Sequence, residues 1–288
     1  MSHLVSPHDV VAWGCDTHVH VIGDTMQYPM VLDRHYTPGP AITAELQKHL
    51  TGQALGRVVI VQPSVYGTDN QCLLDALSVL GANARGIAVL SETITASELR
   101  QLDARGIRGV RLNFESSANQ QIDQLQTALK NWSSRIESLG WHIQVYAPFE
   151  MIAACAHTIR TLPTPVVLDH LALWPVTERR TSAERALIQL LTQGHVYIKL
   201  SASYRLPTLS ADDVKKIVYR LLQAQPEHLL WGSDWPHTNR EPGLHHHSVS
   251  RYRSISPTQL IHERAQWLET PELQHQVLVV NPAKLYHF

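Results

Sequence analysis

The sequence predicts a single (β/α)8 TIM-type barrel of parallel strands occupying residues 1–288. Short runs rich in β-branched residues alternate eight times with longer segments whose apolar residues fall at helical spacing. Successive runs begin about 22 to 44 residues apart, enough for a strand, a helix and two loops. A chain of this length also buries roughly three quarters of its unfolded surface, so one large core is within reach. A doubly wound open sheet is the alternative, because strand number alone does not establish closure.

The strands are expected at 13–21 (WGCDTHVHV), 57–62 (RVVIVQ), 85–91 (RGIAVLS) and 107–114 (IRGVRLNF). They continue at 141–147 (WHIQVYA), 164–170 (TPVVLDH), 195–201 (HVYIKLS) and 228–235 (HLLWGSDW). Helical periodicity falls between them, at 70–82, 95–105, 120–139, 149–161, 181–193 and 210–224. Two long excursions, 22–56 after the first strand and 236–255 after the eighth, are expected to build the face where barrel active sites lie.

Composition narrows the function. The chain carries 24 Lys+Arg against 25 Asp+Glu, net charge −1, which argues against a basic nucleic-acid surface or a polybasic membrane patch. Small substrates or protein partners remain, and a homo-oligomer is compatible with this composition. Cys15, Cys72 and Cys155 are far apart and form no CxxC pair, which suits a reducing, cytoplasmic setting and excludes a disulfide framework. The first twenty residues read neither as a signal peptide nor as a membrane span. GxSxG, GxxxxGK[ST] and GxGxxG are all missing, so acyl-serine, NTP and dinucleotide chemistry lose their usual supports.

The 18 histidines matter through spacing. Alternation places Asp16, His18 and His20 on one face of the first strand, so two imidazoles converge at its C-terminal end. His170 ends the sixth strand and Asp234 the eighth. Each alone reads as a cap or a packed polar group, but four such residues at strand ends point into one mouth, since unpaired buried polar groups are costly. With Val110, Leu112 and Phe114 on the helices, Arg111 faces the barrel interior, where a guanidinium binds a carboxylate or pairs with an internal acid. Gln62 and Ser64, Gln144 and Tyr146, and Lys199 and Ser201 share inward faces, with Arg205 just beyond; Lys199 reads most simply as neutralising a neighbouring carboxylate. The run His245, His246, His247 reads as a solvated loop, and Trp132, Trp141 and Trp267 as helix-to-barrel packing.

In order along the chain, CDTHVHV, DRHYTPGPA, VVIVQPSVYGTDNQCLLDAL, GIRGVRLNF, VVLDHLA, VYIKLSASYRL, LLWGSDWPHTN and NPAKLY resemble the amidohydrolase superfamily, in its amidohydrolase-related branch of sugar-acid and aromatic-acid lactonases. The resemblance implies a barrel enzyme that hydrolyses a carboxylate-bearing lactone. It casts His18, His20 and His170 as groups polarising the ring carbonyl and Asp234 as the base for water. Tyr36, Ser64, Tyr66, Arg111, Tyr146, Arg205, His237 and Asn239 are expected to line the substrate pocket. Lactone isomerisation on the same site, zinc-dependent decarboxylation of an aromatic or muconate acid, and a non-catalytic sugar-acid binder are the alternatives.

The branch's dicarboxylate lactonases carry a second arginine shortly after the fourth-strand one, where FESSAN here offers only Ser116 and Ser117, and another just past the sixth-strand histidine, where this chain reads LALW; a less charged sugar-acid lactone is therefore also expected. Arg111 stands where binuclear members of the superfamily carry a bridging lysine or glutamate, and Gln144 or Tyr146 where they carry a histidine, which argues against a binuclear centre. A metal-free site is the working expectation, with one zinc on His18, His20 and Asp234 as the alternative.

Overall fold

Eight parallel strands are hydrogen-bonded in sequence order, each to the next. The structure is a computed structural model that describes residues 13–115, 121–175 and 181–288; Ser116 and Ser117 lie outside the described residues. The barrel strands are β1 (Cys15–Val19), β3 (Arg57–Val61), β4 (Ala84–Ala88), β5 (Ile107–Asn113), β6 (His142–Tyr146), β7 (Val166–Leu168), β8 (Val196–Ser201) and β9 (Leu229–Gly232). Two-residue strands β2 (Thr37–Pro38) and β10 (Val249–Ser250) pair separately, in parallel.

The seam between the first and last barrel strands falls at the expected catalytic residues. Asp234 N donates to His18 O at 2.9 Å, His20 N donates to Trp235 O at 2.8 Å, and Val19 bridges Trp235. Gly232 permits this approach: a Cβ there would lie 2.7 Å from His18 Cβ and 2.9 Å from His18 N. The open-sheet alternative is therefore set aside in favour of a nearly closed barrel.

The six expected helical segments form, with one break. They are α2 (Gln71–Leu80), α3 (Ala96–Ala104), α4 (Ile122–Ile136), α7 (Ser182–Thr192) and α8 (Ala211–Ala224), while 149–161 divides at Cys155 into α5 (Phe149–Ala154) and α6 (Ala156–Thr161). Capping decides several starts. Thr95 and Glu98, and Ser210 and Asp213, exchange side-chain and backbone hydrogen bonds around the first turns of α3 and α8. In α8, Val214, Ile217, Val218, Leu221 and Leu222 bury one stripe, each such side chain contributing roughly 1.5–3 kcal/mol. Trp132, Trp141 and Trp267 are buried, as expected of packing residues.

The periodicity reading did not anticipate α1 (Thr43–Gly52) within the first excursion, nor α9 (Pro257–Trp267), α10 (Pro271–His275) and α11 (Asn281–Tyr286) near the end. The buried stripe of α9 is only Leu260 and Trp267, too thin to stand out in the sequence.

The barrel interior is layered. At the N-terminal end Cys15, Val59, Val61, Ile87, Val167 and Leu230 pack with Leu285 and Tyr286 of α11 into an apolar plug. The opposite end holds His18, Gln62, Arg111, Gln144, Lys199 and Asp234, all buried. The two excursions meet over that polar end, joined by β2 and β10 and by Thr37 Oγ1 donating to His246 O at 2.7 Å.

Candidate active site

Four strand ends deliver the cluster. The Nε2 atoms of His20, His18 and His170 lie 3.6, 3.7 and 3.9 Å from Asp234 Oδ1. These separations exceed hydrogen-bond length, and His18 Nε2 and Asp234 Oδ1 have no hydrogen-bond partner. Asp234 and His170 adopt φ of 60° and 51°, a left-handed conformation that costs energy in non-glycine residues and concentrates at functional sites.

The far side of each group is held. Asp234 Oδ2 accepts from Tyr204 Oη at 2.7 Å and Arg205 Nε at 2.8 Å, with Arg205 Nη2 at 2.6 Å. Burial pushes this carboxyl up, but the Arg205 guanidinium beside it outweighs that and holds Asp234 well below the usual carboxylate range. His20 Nδ1 lies 2.7 Å from Val61 O; a carbonyl only accepts, so Nδ1 carries a proton, and the neutral form of the ring presents its Nε2 lone pair toward Asp234. His170 Nδ1 pairs with Ser201 Oγ at 2.9 Å. His18 Nδ1 is 3.3 Å from both Asp169 Oδ1 and Lys199 Nζ. Burial pushes His18 down to about 3 and His170 well below its ordinary value, so both rings are neutral at pH 7.

Beneath the cluster lies a charge network that the sequence only partly disclosed. Lys199 Nζ donates to Thr17 O and Gln144 Oε1, each at 2.8 Å, and stands 3.7 Å from Asp169 Oδ1. Gln144 Nε2 and Arg111 Nη2 reach Asp169 Oδ2 at 3.1 and 3.5 Å. Lys199 thus faces a buried acid, its simplest sequence reading. Strand alternation had hidden Asp169 by turning it away from His170. The chain leaves extended geometry there, with left-handed φ from His170 through Leu173, and both side chains reach the interior.

Alternation also misplaced Asp16. The pairing register shifts between Asp16 and Val19, so Asp16 leaves the His18 and His20 face. It accepts instead from Ser233 N at 2.9 Å and lies 3.4 Å from His49 Nε2 on α1.

Above the cluster is a cavity of about 320 Å³. Of the expected pocket residues, Tyr36, Ser64, Arg111, Tyr146, Arg205 and Asn239 line it, beside His20 and His170. Two do not. Tyr66 is buried with its hydroxyl accepting from Gly23 N at 3.1 Å, and His237 packs behind Tyr204 and against His49. Sequence reasoning missed Tyr204, Arg240 and Arg253 on the wall. The FESSAN and LALW segments suggested a shortage of cations, yet the loop after β9 supplies these two arginines. His245, His246 and His247 are exposed outside the cavity; their ring nitrogens lie close enough together to hold a metal.

His18, His20 and Asp234 bring one ligand atom each within 4.8 Å of one another, and the donor set fits one divalent cation such as zinc. The lone pair of His20, fixed by the carbonyl behind it, and the orphaned Asp234 Oδ1 are what such an ion requires. On the Asp169 side, Lys199 and Arg111 already supply positive charge, which disfavours a second cation there.

A nearly closed parallel barrel with a histidine–aspartate cluster at the C-terminal strand ends defines a barrel hydrolase of the amidohydrolase type. The amidohydrolase family model matches residues 15–288, and the chain belongs to that family. It is 32% identical to a 2-pyrone-4,6-dicarboxylate hydrolase of Comamonas testosteroni, over 96% of this chain and 90% of the relative. A 4-sulfomuconolactone hydrolase of Rhizobium radiobacter is 29% identical, over 96% and 89%. The crystal structure of a probable 2-pyrone-4,6-dicarboxylic acid hydrolase from Acinetobacter baumannii, with citric acid bound, superposes with TM-score 0.78 at 29% identity, over 96% and 99%. Among the described residues, no helix is long and apolar enough to cross a membrane.

Proposed function

We propose that this chain opens a carboxylate-bearing lactone by attack of water on the ring carbonyl. One observation carries the reading: a buried Asp234 with one oxygen locked by Arg205 and the other facing three imidazole nitrogens, without a hydrogen bond, beneath a lactone-sized cavity.

Asp234 Oδ1 takes a proton from water as its oxygen bonds to the carbonyl carbon, a general-base contribution of roughly 10²–10⁴. With Ser201 donating to His170 Nδ1, the His170 Nε2–H is a donor for the developing oxyanion, typically worth ~3 kcal/mol. His20 does not share that role as a neutral ring. Its lone pair faces inward, so it accepts a water proton or holds a cation, which departs from the expectation that all three histidines polarise the carbonyl. A divalent cation bound by His18, His20 and Asp234 would supply Lewis-acid polarisation and an acidified water. The ring C–O bond then breaks, and the leaving oxygen recovers its proton from the Asp234 carboxyl, giving a ring-opened acid. Arg111, whose Nε is buried without a partner, holds a substrate carboxylate, while Tyr36, Ser64, Tyr146 and Asn239 orient the ring.

The test is a panel of carboxylated and neutral lactones with acid release followed by indicator and products by NMR. Acid release from carboxylated lactones supports hydrolysis. A new lactone without acid release assigns isomerisation, and CO2 release assigns decarboxylation.

A further inference from the structure

Arg253 and Arg240 line the cavity, and the proposed hydrolysis uses neither. The other two cavity arginines are placed: Arg205 is engaged by Asp234, and Arg111 stands beside Gln62 O and Asp169. Arg253 is anchored at its backbone, its N–H donating to His237 O at 2.9 Å in the loop behind Asp234. Its guanidinium carbon lies 5.1 Å from the centre of the Tyr204 ring, the same ring whose hydroxyl holds Asp234. Its Nε is buried without a hydrogen-bond partner. Neither Arg253 nor Arg240 forms an ion pair among the described residues. A buried N–H donor left without an acceptor is costly unless a ligand supplies one.

Position sharpens the point. Arg111 belongs to β5, the fourth strand of the ring, and Arg253 is tied to the loop after β9, the eighth. Fourth and eighth strands stand opposite each other in a ring of eight. Glu115, the acid on the cavity wall, follows β5 and so lies on the Arg111 side.

We propose that Arg253, with Arg240 at the rim, forms a second anion subsite across the cavity from Arg111, so that the site takes a dianion whose acidic groups flank the reacting carbonyl. This rests on reading the cavity as a lactone site, but its test does not depend on turnover. The probes are propane-1,3-disulfonate and propane-1-sulfonate, titrated calorimetrically at fixed ionic strength. Neither is a substrate or a strong metal chelator, and both stay ionised across neutral pH.

The wild type is expected to bind the disulfonate about tenfold more tightly than the monosulfonate, the yield of one added charge-assisted contact. Arg253→Met removes that preference and leaves monosulfonate affinity unchanged, while Arg111→Met weakens both ligands. Should the methionine variant not fold, Arg253→Gln gives the same readout. A wild type without the preference, or an Arg253 variant that keeps it in full, overturns the subsite. A protein that shows the preference yet releases acid from no lactone keeps the subsite and loses the hydrolase reading.

Discussion

The guanidinium of Arg205 closes on a single oxygen of Asp234, Nη2 at 2.6 Å and Nε at 2.8 Å from Oδ2, and leaves Oδ1 without a hydrogen bond. The resemblance to lactonases suggested Arg205 as a substrate contact, but its fork is engaged by Asp234, the proposed base. Arg205→Met is therefore expected to lower kcat about 10- to 100-fold on carboxylated and neutral lactones alike, as for loss of a charged hydrogen-bond pair. A KM effect confined to carboxylated lactones would return Arg205 to the substrate.

Arg111 should behave in the opposite way. Its two hydrogen bonds are long, at 3.3 and 3.5 Å, and its Nε is unpartnered, so it has capacity left for a ligand. Arg111→Met raises KM about tenfold or more for carboxylated lactones and spares neutral ones. Steady-state kinetics on a matched pair of lactones checks this, and an equal loss on both would assign Arg111 to the Asp169 network alone.

His142, at the buried base of β6, is pushed down by burial to about 3. Between that value and the ordinary ~6.5 of histidine, the unfolded chain binds a proton that the folded chain does not. Stability therefore falls as pH drops below ~6.5, by about 1.4 kcal/mol per pH unit from each such ring. Urea unfolding of His142→Leu at pH 7 and pH 5 should show a shallower acid loss than the wild type. Parallel losses would show that His142 is not held neutral.

Gly232 tests the seam. Its missing Cβ would stand 2.9 Å from the backbone nitrogen of His18, and backbone cannot yield as a side chain does. Gly232→Ala is expected to cost roughly 1–3 kcal/mol of stability through overpacking and to lower kcat by displacing His18. Unchanged unfolding and unchanged kcat together would mean that the seam tolerates the shift.

Much of this was legible in the sequence because strand alternation and strand-end position are local properties. His18, His20, His170 and Asp234 were found that way, as was the inward turn of Arg111. The misses share a cause. Asp16 and Asp169 sit where the chain stops alternating, at a register shift and at a left-handed turn, and no periodicity announces either. Tyr204, Arg240 and Arg253 come from loops, whose side-chain directions are set by the fold around them and not by a repeat. The lone pair of His20 depends on the carbonyl of Val61, 41 residues away.

The most direct experiment replaces Asp234 by asparagine, which keeps the shape and removes the proposed base. Acid release from a carboxylated lactone by Asp234→Asn should fall at least about 10²-fold, while propane-1-sulfonate affinity stays within about threefold of the wild type. Asp234→Asn that folds and still hydrolyses the lactone at the wild-type rate would show that water is activated elsewhere.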